Sequence, residues 1–281
     1  TDASVYQVKP AAVAIPSTVK DIKRLIQFAS QAKTGLIPRG AGTSLAGQVV
    51  GEGIVMEISS ALGKVISLNR KEKTVWIEPG IVRDDLNKHL ATADLFFGPE
   101  TSTANRALLG GMLGNNSCGL HSIVWGSVRD HILETRAFLS DGTEIHTHPL
   151  TREEFYHKTT LQNLEGKIYR EIHRMLNNPE IQTLIQEKFP KKSIKRRNTG
   201  YALDALLEMQ PFNPDGEPFN LSKLIAGSEG TLAVVHAMKL NLLDLPEPEV
   251  ALVCIHCQSL QESLQVNIEA LKHPILASEL V

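Results

Sequence analysis

The chain has 281 residues, of which 42% are hydrophobic and 21% charged, a composition that excludes disordered, coiled-coil and low-complexity classes. Its 29 Lys and Arg nearly balance 31 Asp and Glu, so it lacks the basic excess of most nucleic-acid binders. No apolar run approaches the roughly 18 residues of a membrane helix, Thr1–Ala12 do not read as a leader, and three cysteines cannot all pair, so a reducing, cytoplasmic location is expected.

In chain order, Thr18 caps a helix with Asp21 in its first turn and Ile22, Leu25, Ile26 and Ala29 as its apolar stripe, ending at Gly35. Leu36-Ile37 is a short strand that runs into the glycine-rich loop Pro38-Arg39-Gly40-Ala41-Gly42-Thr43-Ser44. Branched residues predict strands at 54–58, 65–68 and 74–78, followed by a helix near 82–90. A second glycine-rich zone fills 97–119 and does not read as an ordinary core helix. Strands at 132–139 and 144–148 flank Ser140-Asp141-Gly142-Thr143, a strong hairpin signal. The pattern is helical from 151 to 189, with Pro179 starting a new helix. Gly227-Ser228-Glu229-Gly230 precedes a strand at 232–235, and 245–249 reads as a stiff linker. Beyond it, a strand at 251–256, a helix at 260–271 and a strand-like piece at 274–281 begin a layer with nothing to complete it, so the chain is expected to be a piece of a longer polypeptide.

Backbone N–H groups of glycine-rich turns converge on anions because a missing Cβ lets a phosphate approach closely. The loop at 38–44 fits that use, although it is neither a Walker loop nor a Rossmann fingerprint. Taken alone it is also consistent with a plain structural turn. Three such zones together match a dinucleotide, whose pyrophosphate, ribose and ring each need close backbone approach.

The stretches 38–44, Pro99-Glu100-Thr101-Ser102, Gly110-Gly111 through Asn115-Asn116-Ser117-Cys118-Gly119, Trp125-Gly126 with Asp130, and 227–232 resemble, in order and spacing, the FAD-linked oxidase family. That family shares the flavin fold of vanillyl-alcohol oxidase and para-cresol methylhydroxylase, and the resemblance is nearest to its D-lactate, glycolate and D-2-hydroxyglutarate dehydrogenase branch. It implies an α+β fold: a two-subdomain FAD-binding domain over 1–245 with a helical insertion at about 151–222, and the start of an α/β substrate cap at 246–281. It also implies FAD held by Pro38, Arg39, Gly40, Ala41, Gly42, Thr43 and Ser44 at the pyrophosphate. Glu100, Thr101, Ser102, Gly110, Gly111, Asn115, Ser117 and Gly119 would line the ribityl chain and ring, with Asp130, Glu229 and Gly230 completing the site. Relatives with covalent FAD use a first-loop histidine, which this loop lacks, so FAD is expected without a covalent bond.

Arg196, Arg197, Thr199 and Tyr201 resemble the segment that meets the substrate carboxylate, for which a guanidinium fork is suited. The same arginines close a charge run with Lys188, Lys191, Lys192 and Lys195, which reads equally as a solvated face, or as a peripheral contact at the inner membrane face. The implied reaction is hydride removal from Cα of a small 2-hydroxy acid by the flavin, with the base beyond Val281 and His121 as the candidate within the chain. The alternative is a non-catalytic FAD-binding or electron-transfer module that needs a partner chain. The electron acceptor is not specified, and an oligomer is compatible with the sequence. No metal set is expected: Cys254 and Cys257 would face opposite sides of a strand whose Leu252, Val253 and Ile255 are core, and His146 with His148 lacks a third ligand.

Overall fold

The structure, a computed structural model, describes residues 2–59, 61–194, 196–198 and 200–280. In chain order the elements are β1 (Ala12–Ala14), α1 (Val19–Gln31), β2 (Leu36–Arg39), β3 (Ile54–Glu57), β4 (Val65–Asn69), β5 (Thr74–Ile77) and α2 (Arg83–Ala91). Then come β6 (Leu95–Phe96), α3 (Leu109–Asn115), α4 (Ser122–Trp125), α5 (Val128–His131), β7 (Ile132–Phe138) and β8 (Glu144–Thr147). The remainder is α6 (Arg152–Thr160), α7 (Leu164–Leu176), α8 (Pro179–Lys188), α9 (Leu203–Leu207), α10 (Ser222–Ile225), β9 (Val234–Asn241), β10 (Leu243–Asp244) and α11 (Leu260–Ala270).

Among the described residues there are three sheets, the smallest being the antiparallel pair β10-β6. β1, β3 and β2 make a parallel three-stranded sheet, with α1 as the crossover from β1 to β2. Thr18 caps α1 in a reciprocal box with Asp21, Ala29 is buried, and Ile22 and Ile26 form a core with Met56 and Ile58 of the sheet side. The second sheet is antiparallel in the order β4-β5-β9-β7-β8. Its inner face carries Val75, Ile77, Met238 and Leu240, which form one core with Leu86 and Leu90 of α2 and Met112 and Leu113 of α3. Between β8 and α10, helices α6 to α9 build a separate core around Phe155, Tyr169, Leu176, Leu206 and Phe219.

Several expectations need correction. The second glycine zone does contain a helix, α3, which starts at Leu109 and includes Gly110 and Gly111. Packing outweighs the roughly 1 kcal/mol helix penalty of each glycine: Leu109, Met112 and Leu113 are buried on one side, and Asn116 in the left-handed region stops the helix. The strand expected at 232–235 starts at Val234 and runs to Asn241, because it is central and paired on both sides, by β5 and β7. α1 stops at Gln31, ahead of Gly35, with Lys33 in the left-handed region. Residues 251–256 form no strand, and Leu252 is 91% exposed, so the core reading of that stretch is wrong. Residues 274–280 form no strand either, Val281 lies outside the described residues, and α11 buries none of its side chains. A short apolar run reads as a strand in sequence whether or not a neighbour exists to pair with it.

Candidate functional site

A cavity of about 1010 Å³ opens where the end of β2, the start of α3 and the segment from α10 to β9 meet. Ligand cavities run from about 300 to 1,000 Å³, so this one has room for a dinucleotide.

The first wall is the loop after β2. Pro38, Gly40, Ala41, Gly42, Thr43 and Ser44 all line the cavity. Among the described residues, no acceptor within the chain pairs the backbone N–H groups of Gly40 to Leu45. Backbone N–H groups left unpaired beside a cavity are free to receive an anion. Gly42 sits at φ +64°, where a side chain is strained, and a Cβ there would lie 2.5 Å from Nη2 of Arg39. Arg39 is thus packed against the loop, and it is not among the residues that line the cavity.

The second wall is α3 with the turn that follows it, and its paired glycines do different jobs. A Cβ on Gly110 would stand 2.7 Å from Cβ of Pro79, whereas one on Gly111 would meet nothing within 4 Å. Gly110 therefore brings the helix against the strand-end residue Pro79, while Gly111 bares backbone to the cavity it lines. Asn115 donates to Ser117 Oγ at 3.1 Å, and both line the cavity with Gly119. Glu100, Thr101 and Ser102 also line the cavity, with Glu100 packed against Gly119. Glu100 Oε1 accepts the backbone N–H of His121 at 3.0 Å and contacts its Nδ1. The His121 ring lies 4.6 Å from that of Trp125. This carboxylate and imidazole form a pair at the cavity wall.

The third wall is the tight turn before β9, where Gly227, Glu229 and Gly230 all have positive φ. Glu229 and Gly230 line the cavity. Behind this wall lie two cations, Arg129 buried and Lys223 half-buried. Arg129 donates to the carbonyls of Lys223 and Ala226, and Lys223 Nζ donates to the carbonyls of Arg129 and Ile132. Burial lowers the pKa of both.

Other residues go elsewhere. Asp130 is exposed and caps α5, accepting from Ser127 N–H at 2.7 Å and Oγ at 2.9 Å, so it is not brought to the cavity. Arg197 is engaged at both guanidinium ends by Asp204, lies 5.5 Å from the Phe189 ring, and gives its backbone carbonyl to Asn116 Nδ2. It fastens the loop, which makes it unsuited to anchor a substrate. Tyr201 bonds Thr231 Oγ1 at 2.7 Å and does not line the cavity. Thr199 lies outside the described residues. Arg196 does line the cavity, and among the described residues no acceptor pairs it. The structure adds Gln48, Arg106 and Ser228 to the wall. Ser228 belongs to the third glycine-rich stretch, whereas Gln48 and Arg106 carry no motif of their own and are revealed only by the approach of distant segments. Cys254 is exposed and Cys257 half-buried, and no group of three or more His, Cys, Asp or Glu among the described residues is placed to hold a metal.

Residues 10–148 match the family described as FAD binding domain, and this stretch supplies the first two walls. This stretch is an FAD binding domain. The open N–H run and the bare backbone at Gly111 fit such a cofactor on their own geometry. The chain is 35% identical over 250 residues to a D-2-hydroxyglutarate dehydrogenase of Pantoea ananatis, covering 88% of this chain and 24% of that protein. It is 33% identical over 284 residues to a D-2-hydroxyglutarate dehydrogenase of Pseudomonas putida, covering all of this chain and 27% of that protein. The chain thus spans about a quarter of the length of these curated relatives. In fold it matches alkyldihydroxyacetonephosphate synthase with a TM-score of 0.55 at 19% identity, over 85% of this chain and 33% of that one. No described helix is long and apolar enough to cross a membrane.

Proposed function

We propose that this chain is the cofactor-holding part of an FAD-dependent dehydrogenase that oxidises a small D-2-hydroxy acid. The observation that carries the reading is the glycine-walled cavity, whose open N–H run and bare Gly111 backbone lie within the residues that match the FAD binding domain. The substrate class is supported by the likeness to D-2-hydroxyglutarate dehydrogenases.

The chemistry FAD supplies when bound is acceptance of the hydride from the substrate Cα. The N–H groups from Gly40 to Leu45 would hold its phosphates, and the bare backbone at Gly111 would leave it room. Arg196 orients the substrate carboxylate, supported by its place on the wall without a carboxylate partner among the described residues, whereas Arg197 has one in Asp204. Within the chain the candidate base is His121, whose Nδ1 is in contact with Glu100 at the cavity wall. A domain division near residue 246 is supported by the exposed run that follows, and a cytoplasmic site of action by the unpaired cysteines.

The first loop has no histidine or cysteine, which supports non-covalent FAD. Acid precipitation of the FAD-loaded chain should leave the yellow colour in the supernatant. Colour retained in the washed pellet would contradict the non-covalent assignment, and failure to take up FAD at all would contradict the function.

A further inference from the structure

Gln48 lies in the loop after β2, outside every glycine motif, yet it touches the other two walls. Its Nε2 donates to Glu229 Oε1 at 2.7 Å and to Asn115 Oδ1 at 3.2 Å, partners 181 and 67 residues away. A carboxylate only accepts, so the amide must turn its nitrogen toward Glu229, which fixes its orientation. Gln48 Oε1 is then left buried with no donor among the described residues. A buried acceptor without a donor costs on the order of 1–3 kcal/mol, so the amide holds this pose at the expense of its own oxygen.

The loop itself is poorly tied. Between Gly40 and Val50, the backbone hydrogen bonds within the chain among the described residues run from Ala3 N–H to the Gly42 carbonyl and from Val50 N–H to the Gly47 carbonyl. This is the segment whose N–H groups stand open to the cavity, so its position relative to α3 decides whether they converge. On the far side, Glu229 holds φ +52°, a left-handed conformation that costs a non-glycine residue roughly 1–2 kcal/mol. That turn is docked on α3 through Glu229 N–H to the Gly114 carbonyl at 2.9 Å.

We propose that Gln48 is a positioning residue: by clasping Glu229 and Asn115 at once it sets the first glycine-rich loop at the distance from α3 and the third turn that cofactor binding requires. The proposal rests on the FAD reading and adds to it a residue that acts through others. Without the clasp the loop samples positions in which its N–H groups do not converge, and apparent affinity falls by the fraction of time it is competent.

The test is the FAD dissociation constant, read by flavin fluorescence, for the wild type, Gln48→Leu, Glu229→Leu, Glu229→Gln and the Gln48→Leu/Glu229→Leu double variant, each with its cofactor-free melting temperature. Each leucine variant should bind FAD about tenfold more weakly, the double variant no worse than either single one, and Glu229→Gln, which still offers Gln48 an acceptor, within about threefold of wild type. Cofactor-free melting should move little, because Glu229 is exposed and Gln48 only half-buried. Three results would overturn the clasp: losses that multiply to about a hundredfold in the double variant, unchanged affinity in the single leucine variants, or Glu229→Gln as damaging as Glu229→Leu. A wild type that binds no FAD would instead refute the functional reading.

Discussion

In the helical lobe Phe155 is fully buried and meets the rings of Tyr169, Phe212 and Phe219 at centroid distances of 5.7, 5.7 and 4.8 Å. A glycine there, Gly166, is present because a Cβ would fall 2.0 Å from the Leu161 carbonyl oxygen. At the cavity wall the surroundings are reversed: the N–H groups of Gly40 to Leu45 have no acceptor among the described residues, Gly111 faces open space, and Glu229 holds a strained backbone. Side chains fill one region, and the other is kept empty. The difference teaches that the lobe contributes stability while the wall spends some of it to leave backbone free for a ligand.

The sharpest way to break the contrast is to cut the lobe. Phe155→Ala should lower unfolding free energy by about 3–5 kcal/mol, measured by urea denaturation of the cofactor-free chain. FAD affinity of the molecules that remain folded should hold, since Phe155 does not line the cavity. A loss of affinity in the folded fraction would show that lobe and wall are one unit. Next in size is Gly110→Val, at the seam between packing and cavity. With Pro79 Cβ only 2.7 Å from the new atom, it should cost about 1–3 kcal/mol of stability by overpacking.

How much of this was legible in the sequence varies with how local each cause is. The Thr18 and Asp21 cap and the Asp141-Gly142 turn, with Gly142 at φ +81°, have causes within a few residues and form as the sequence implies. α3 was missed because low propensity at Gly110 and Gly111 hid a helix that tertiary packing demands. The apolar run at 251–256 was misread because sequence cannot say whether a pairing strand is present. At the site, Arg196 and Arg197 were indistinguishable as neighbours, and only Asp204 separated them. Gln48 had no local signal, since its meaning lies 181 residues away in Glu229.

The smallest expected effect is at His236 on β9, beside cavity-lining Val234 and Val235. Burial pushes its pKa below the ordinary histidine value, outweighing the opposing pull of Glu144. Below about pH 6.5 the unfolded chain takes up a proton that the folded one resists, so this contribution is complete above that pH and is lost as pH falls. The urea midpoint should drop on going from about pH 7.5 to about pH 5.5, and drop less in His236→Gln. An identical pH dependence in the variant would remove His236 from the account.

The central claim is that the cavity wall leaves backbone bare for FAD, and Gly111 isolates it because its substitution strains nothing in the fold. FAD titration of wild type and Gly111→Leu, alongside cofactor-free melting, separates binding from folding. The account predicts saturable binding by the wild type and a loss of about a hundredfold or more in Gly111→Leu, with melting unchanged or raised by the better helix former. Equal FAD affinity in the two proteins would contradict it.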